Sequence, residues 1–437
     1  MSSNVPRPRL PVLRTLGLES KTIISYQLAI DEERIISGFV NCLLFIDICS
    51  MKILFLNYEY PPLGGGAANA TAQLLAEWSR DSDLEVHLIT SSITAHLEHE
   101  RVGGKVYVHR LPIGKDSKRL HHQSIKDIVL YSVKAWWFGR KLLREQAPFD
   151  VTLAFFGVPS GFIAWLFRQS FGIPYVVALR GSDVPGYSRK FTWLYPLLRP
   201  VIRLIWRGAG AVVPNSEGLA ALARQTDPRQ VFTIIENGVD TRQFMPDPTK
   251  RPVGECIITP GASRVTERKG LKYLIEAVAE LIPHYPELRL KIMGDGEARP
   301  SLEALVKELK LEAHVTFLGR VPREETAPHY QEASLFVLPS LNEGMSNAML
   351  EALASGLPII ATPTGGTAEL VTEGKNGLIV PEKSADALAQ AIEVFLKNKH
   401  LITEYGVASR AKAEAQGWDK TAQAFYRVLE SVITKTA

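Results

Sequence analysis

Sulfur is scarce: 437 residues hold three cysteines, Cys42, Cys49 and Cys256. None forms a C-x-x-C pair, so neither a thiolate zinc site nor a disulfide framework is expected. Long apolar runs are missing as well. Residues 38–48 form the longest near the start, and Asn41 and Asp47 interrupt it. A membrane span needs about 18 apolar residues, and a secretory signal would not follow so many charges. The expectation is a cytoplasmic chain that meets the inner face of a membrane, if at all, peripherally. No D-x-D pair stands in a metal-binding loop, since Asp81-Ser82-Asp83 precedes a strand on a surface turn. No metal and no cofactor is expected. Acidic residues vanish between Asp183 and Glu217.

What is present describes a soluble globular chain, with 46% hydrophobic and 22% charged residues. Its length is too great for one ordinary core, so two domains are expected. The formal charge of +4 hides an asymmetry. Residues 51–240 carry 22 basic and 16 acidic side chains, whereas 241–437 carry 23 and 25. The basic half suits an anionic contact, such as a membrane surface or a phosphorylated acceptor; nucleic acid is not among the expected partners.

Residues 1–50, with Pro6, Pro8 and Pro11, show weak periodicity and read as a poorly ordered extension. The regular pattern begins with the buried-strand run Met51-Lys52-Ile53-Leu54-Phe55-Leu56. Strands are expected at 52–57, 85–90, 105–110, 150–155, 175–179 and 210–214, with helices such as 67–80 and 160–169 between them. Asn237-Gly238-Val239-Asp240 opens a linker, and the alternation then restarts at Cys256. The fold expected is α/β, two Rossmann-like doubly wound domains facing a cleft. One spans 51–240 together with a C-terminal helix at about 416–437; the other spans 241–415.

Three segments carry chemistry. A strand ending at Pro339 leads into a polar loop and a helix capped by Ser346. The helix tip offers unpaired N–H groups and the positive end of its dipole, which suits a diphosphate. Glu343 before it and Glu351 within it could accept from sugar hydroxyls. Taken alone, the segment fits equally well as an ordinary capped surface helix. Arg264 and Lys269 share the loop after the strand at Cys256, and both can neutralise a diphosphate. Tyr60-Pro61-Pro62-Leu63-Gly64-Gly65-Gly66 follows the first strand, and its glycines let backbone approach a phosphate or sugar. Asn69 stands where a dinucleotide fingerprint needs its last glycine.

In this combination the chain resembles glycosyltransferase family 4, retaining enzymes of the GT-B fold. The matching pieces are Y-P-P-x-x-G-G, Asn215-Ser216, the Asn237–Asp240 linker with Phe244 and Pro246, the Arg264 to Lys269 loop, Gly294-Asp295-Gly296, and E-x7-E from Glu343 to Glu351. They run from Met51 to about Ile433. The resemblance implies that Arg264 and Lys269 hold the donor diphosphate and that Glu351 accepts from the ribose. Glu343 would contact the transferred sugar beside the N–H groups of Gly344, Met345 and Ser346. Arg320 and Val321 would meet the base, Gly294 would belong to the donor side, and Gly65 and Gly66 would line the cleft from the first domain. It implies a hexose moved from a nucleotide-diphosphate sugar to a glycan or lipid-linked acceptor. Two departures stand out: Leu153 and Phe155 occupy the family's H-x-H positions, and Arg180-Gly181 replaces a His-Gly. Arg180, Asp183 and Asn215 are the acceptor-side candidates. A silent nucleotide-sugar-binding subunit and a sugar-nucleotide epimerase of the same fold are the competing readings.

On the acceptor side, two stretches interleave cations and aromatics. Residues 189–207 place Arg199, Arg203 and Arg207 on one helical face. Residues 134–144 hold Trp136, Trp137 and Phe138. Both suit either an anionic membrane interface or amphipathic helices that bury their aromatics.

Overall fold

The computed structural model describes residues 51–114, 124–146, 148–187, 195–247, 249–250, 256–260 and 265–435. The extension expected at residues 1–50 lies outside the described residues, as does Arg264.

Strands β1 (Met51–Leu56), β2 (Leu84–Ser92), β3 (Glu98–Gly103), β4 (Lys105–Pro112), β5 (Val151–Phe155), β6 (Tyr175–Leu179) and β7 (Ala211–Pro214) form one sheet in the order β3-β4-β2-β1-β5-β6-β7. Its pairings are parallel except for antiparallel β3–β4. β8 (Cys256–Pro260), β9 (Arg289–Met293), β10 (Val315–Gly319), β11 (Leu335–Leu338), β12 (Ile359–Ala361) and β13 (Gly377–Ile379) form the second, ordered β10-β9-β8-β11-β12-β13 and parallel throughout. The central strands are buried on both faces, which is why they read as unbroken apolar runs. β3, Glu-His-Glu-Arg-Val-Gly, carried no such signal. It is a hydrophilic edge strand tied to β4 by Arg110 to Glu100 at 2.8 Å.

Helices α1 (Gly66–Trp78), α2 (Ile125–Glu145), α3 (Phe162–Phe171), α4 (Tyr195–Gly208) and α5 (Glu217–Arg224) accompany the first sheet. The second carries α6 (Leu271–Leu281), α7 (Arg299–Glu308), α8 (Thr326–Gln331), α9 (Asn347–Ala354), α10 (Thr367–Leu370), α11 (Ala385–Lys397) and α12 (Lys399–Glu414). The chain then crosses back: α13 (Trp418–Thr434) buries Trp418, Phe425, Leu429 and Val432 in the core of the first sheet. The crossings lie side by side, with Val239 donating to the Gln416 carbonyl at 2.9 Å.

In both sheets the strand order reverses, between β1 and β5 and between β8 and β11. Loops that leave the carboxyl ends of strands at such a reversal splay apart and open a crevice. The loops after β1, β5, β8 and β11 therefore converge on one region.

Gly270 fixes one of them. Its φ is +65°, and a Cβ there would lie 2.0 Å from the Pro339 carbonyl oxygen. Only glycine lets the turn after β8 approach the end of β11 so closely. Gly270→Ala is expected to cost at least about 2 kcal/mol through backbone strain and displacement. An unchanged melting temperature would show that the contact yields without cost.

Candidate active site

The tip of α9 is built as its sequence requires. Ser346 adopts extended backbone angles, and its hydroxyl accepts from the Met349 N–H at 3.3 Å. The loop 339–346 is anchored at each step. Leu341 N–H donates to the Arg268 carbonyl at 2.7 Å, and Thr362 hydroxyl donates to the Ser340 carbonyl. Gly365 is the second glycine that geometry demands, because a Cβ there would sit 2.0 Å from the Glu343 carbonyl oxygen.

Lys269, in the turn before α6, reaches this loop. Its Nζ lies 2.8 Å from Glu343 Oε2, and the side chains are only 16% and 19% exposed. Ser340 Oγ approaches the same carboxylate oxygen at 3.4 Å. An ammonium, a carboxylate and a helix N-terminus thus meet at the reversal point of the second sheet. Gly344 and Met345 form the approach to the tip, and Arg268 is exposed.

Glu351, one turn into α9, is 8% exposed. Arg323 Nη1 donates to its Oε1 at 2.8 Å, and the Tyr330 hydroxyl donates to its Oε2 at 3.1 Å. Burial pushes its carboxyl up from the ordinary value, while Arg323 and the Tyr330 hydroxyl oppose the rise. Neither Arg323 nor Tyr330 stood out in the sequence; an arginine on a single 3-10 turn and a tyrosine on a six-residue helix carry no spacing signal. Gly294, with φ +131°, donates its N–H to the Gly319 carbonyl at 2.7 Å, which brings the ends of β9 and β10 together. Beside them Arg320 is exposed and Val321 half-buried.

The first sheet supplies the opposite wall. Gly66 is the first residue of α1, and the Asn347 side-chain amide donates to its carbonyl at 3.4 Å. Gly65 N–H is directed to Glu59 Oε2 at 3.3 Å rather than into the cleft. A hydrogen-bonded chain runs on from there. Asn237 Nδ2 donates to Asn347 Oδ1 at 2.8 Å, and Arg180 Nη1 donates to Asn237 Oδ1 at 2.9 Å. Asn237, read in the sequence only as the start of a linker, and Asn347, not singled out there, hold the tips of α1 and α9 together.

Arg180 lies flat on Phe155, its guanidinium carbon 3.7 Å from the ring centroid. Burial lowers its pKa to about 9, with Asp183 opposing the shift. Asp183 itself accepts from the N–H groups of Gly157, Arg180 and Gly181 at 2.7, 3.0 and 3.0 Å. It shapes the loop ends after β5 and β6 and leaves the cleft wall to Arg180. Leu153 and Phe155, at the H-x-H positions, are fully buried in the core.

Asn215 is 5% exposed, and its Oδ1 has no hydrogen-bond partner among the described residues. A Cβ on Gly344 would lie 3.8 Å from that oxygen, so Asn215 faces the loop before α9 across the cleft. Tyr187 joins from the same side. The Gly344 N–H points at its hydroxyl, and burial, reinforced by the charge of Glu343, raises its pKa. Its carbonyl also accepts from Asn342 Nδ2.

The expected arginine face of α4 is used differently. Arg203 donates to the Thr226 carbonyl at 2.8 Å, and Arg207 pairs with Asp227 at 2.8 Å. Tyr195 and Trp206 are buried. The chain's return from α5 supplies the acceptors that the acid-free stretch itself lacks.

The Glycosyl transferase 4-like domain model matches residues 65–238, and the Glycosyl transferases group 1 model matches residues 251–414. A GDP-mannose-dependent alpha-(1-6)-phosphatidylinositol monomannoside mannosyltransferase of Mycobacterium tuberculosis (strain H37Rv) is 30% identical over 65% of this chain and 76% of its own length. The chain belongs to glycosyltransferase family 4. It is a hexosyltransferase that uses a nucleotide sugar. The enzyme of the same name from Mycolicibacterium smegmatis is 26% identical over 82% of this chain and 92% of its own length. In fold, the transferase superposes on sucrose-phosphate synthase from Thermosynechococcus elongatus with a TM-score of 0.77, at 22% identity over 88% of this chain and 100% of that one. The two sheets with their facing reversal points are the GT-B architecture.

Proposed function

We propose that this glycosyltransferase moves a hexose with retention from a nucleoside-diphosphate donor, held by the second domain, to a glycan or lipid-linked acceptor received by the first. The observation that carries the reading is the Lys269 ammonium, 2.8 Å from Glu343, at the tip of α9. Breaking the anomeric C–O bond puts negative charge on the departing diphosphate. Fixed positive charge placed where that charge grows lowers the barrier more than it stabilises the ground state. Lys269 and the α9 tip supply it, with Arg264 joining them on the strength of the sequence motif. Glu343 orients the sugar hydroxyls, and Glu351 accepts from the ribose. The leaving phosphate takes the acceptor's proton on the face it departs from, so no histidine base is required. Arg180 and Asn215 line the acceptor side.

Two relatives are named as GDP-mannose-dependent enzymes acting on a phosphatidylinositol monomannoside. GDP-mannose is therefore the first donor to test, and a phosphate-bearing lipid glycan the first acceptor. The enzyme would work as a peripheral protein on the inner face of a membrane; among the described residues no helix is long and apolar enough to cross one.

The test is release of nucleoside diphosphate from a panel of GDP-, UDP- and ADP-sugars, with the anomeric configuration of the product read by NMR. Failure to turn over any donor, or an inverted product, defeats the proposal. Cationic side chains take a metal's part here, so EDTA is expected to leave the rate unchanged within about twofold. A strict requirement for Mg²⁺ or Mn²⁺ would contradict that.

A further inference from the structure

Helix α2 presents a continuous apolar stripe to solvent; α4 also exposes Leu197 and Leu204, at 72% and 47%, but its Arg203 and Arg207 are tied to the chain after α5. Ile125, Val129, Val133 and Trp137 are 53%, 56%, 51% and 61% exposed. They stand four residues apart, each about 40° further round the helix, so they form one oblique stripe. Cations are interleaved with it. Lys126, Lys141 and Arg144 are exposed, and Arg140 lies over Trp136 at 4.5 Å and Trp137 at 5.7 Å. The two acids of the helix sit at its ends: Asp127 closes the N-terminal cap with Ser124, and Glu145 is 3.9 Å from Lys141. The opposite face is committed to the core. Tyr131 hydroxyl donates to the Ile89 carbonyl at 3.1 Å, and a Cβ on Gly139 would strike Phe167.

We propose that this face of α2 docks on a bilayer of anionic phospholipid. Four large apolar side chains in water, with basic residues among them, are what an interfacial helix shows before it meets lipid. Charge complementarity selects the occupant. A second copy of this face would bring Lys126, Lys141 and Arg144 against like charges, whereas phosphate headgroups neutralise them while the acyl boundary accepts the stripe. Trp137, 61% exposed, suits the headgroup level, where an aromatic body and a polar edge are both satisfied. The placement is also apt. Lys134 Nζ donates at 2.6 Å to the carbonyl of Pro112, the last residue of β4. The first turns of α2 therefore project past the carboxyl ends of the strands, the side on which the active cleft opens. Docking there would bring a membrane-borne acceptor to the first domain's side of the cleft, and in this respect the inference rests on the proposed lipid-linked acceptor.

The experiment is flotation of the full chain with phosphatidylcholine vesicles, with and without phosphatidylglycerol. The parent is expected to float only with the anionic vesicles, and about tenfold less at high salt. Val133→Glu/Trp137→Glu is expected to lower vesicle partitioning at least about tenfold. Lys141→Glu/Arg144→Glu reads the charge contribution separately and is expected to lower it by a similar factor. Both variants should release nucleoside diphosphate from the donor, in the absence of vesicles, at the parental rate, which also shows that they fold. The inference is overturned if the parent ignores anionic vesicles, if both variants float as the parent does, or if the stripe instead mediates a dimer that Val133→Glu/Trp137→Glu dissociates. Loss of flotation in the variants beside a parent inert toward every donor would overturn the transferase proposal and leave the docking face intact.

Discussion

Lys269→Ala is expected to lower kcat/KM by roughly two to three orders of magnitude, the usual cost of losing one fixed donor to a developing oxyanion. The geometry makes this the most damaging single change in the cleft. Lys269 Nζ and Glu343 Oε2 are 2.8 Å apart, and neither side chain is more than one-fifth exposed. Removing the ammonium therefore has two consequences for the diphosphate. It loses a cation, and it meets the Glu343 carboxylate with no charge beside it to offset the repulsion. Lys269→Arg keeps the charge but spreads it over a planar fork that the site was not shaped for, so only partial recovery is expected. Because the pair is mostly buried, losing the ammonium is expected to cost about 1–3 kcal/mol, so circular dichroism should show the parental fold with a lowered melting temperature. The measurement is steady-state nucleoside diphosphate release alongside a melt. A variant within threefold of the parent, by the tenfold-per-1.4 kcal/mol scale, would mean that Lys269 does not meet the transition state.

Much of the architecture was legible because buried parallel strands advertise themselves. β1, β6 and β7 read as short apolar runs, and their ends were placed to within one or two residues. The cap at Ser346 was equally plain, since a serine before an apolar helix has one favourable use. Edge strand β3 was silent because its residues face water. The site was half-legible for a comparable reason. Glu343, Glu351 and Lys269 lie in loops or helices of one domain and have a fixed spacing in the chain. Asn237, Asn347, Tyr187 and Arg323 matter through partners tens or hundreds of residues away, such as Asn237 to Asn347 across 110 positions. Only the folded arrangement supplies that proximity. The same limit affected the cations. Sequence showed basic residues among aromatics in both α2 and α4, but not that Asp227 waits for Arg207. Tertiary packing tied Arg203 and Arg207 of α4 to the chain after α5 and left Lys126, Lys141 and Arg144 of α2 facing outward.

Arg323→Met is expected to be the costliest substitution for stability near the cleft. Glu351 is buried with one oxygen on Arg323 and the other on the Tyr330 hydroxyl. Taking away the guanidinium leaves a buried carboxylate without a compensating charge, a loss of about 3 kcal/mol for such pairs. The pH dependence has a definite sign. The Glu351 carboxyl is already raised above its ordinary 4.5, with burial the largest cause and Arg323 opposing it. Without Arg323 it rises further. A carboxyl whose folded pKa exceeds its unfolded value destabilises the fold as pH climbs from the unfolded pKa through the folded one, and the cost is absent below that window. The melting deficit of Arg323→Met should therefore be large at pH 8 and shrink toward pH 5. Pairing it with Glu351→Gln supplies the control: the double variant should be more stable than Arg323→Met alone, because the uncompensated charge is gone. Donor affinity should still fall in the double variant, since a neutral amide accepts less strongly from ribose hydroxyls than a carboxylate. A deficit independent of pH, or a double variant no more stable than Arg323→Met, would mean that Arg323 acts through packing on Phe244, 5.6 Å away, rather than through the charge of Glu351.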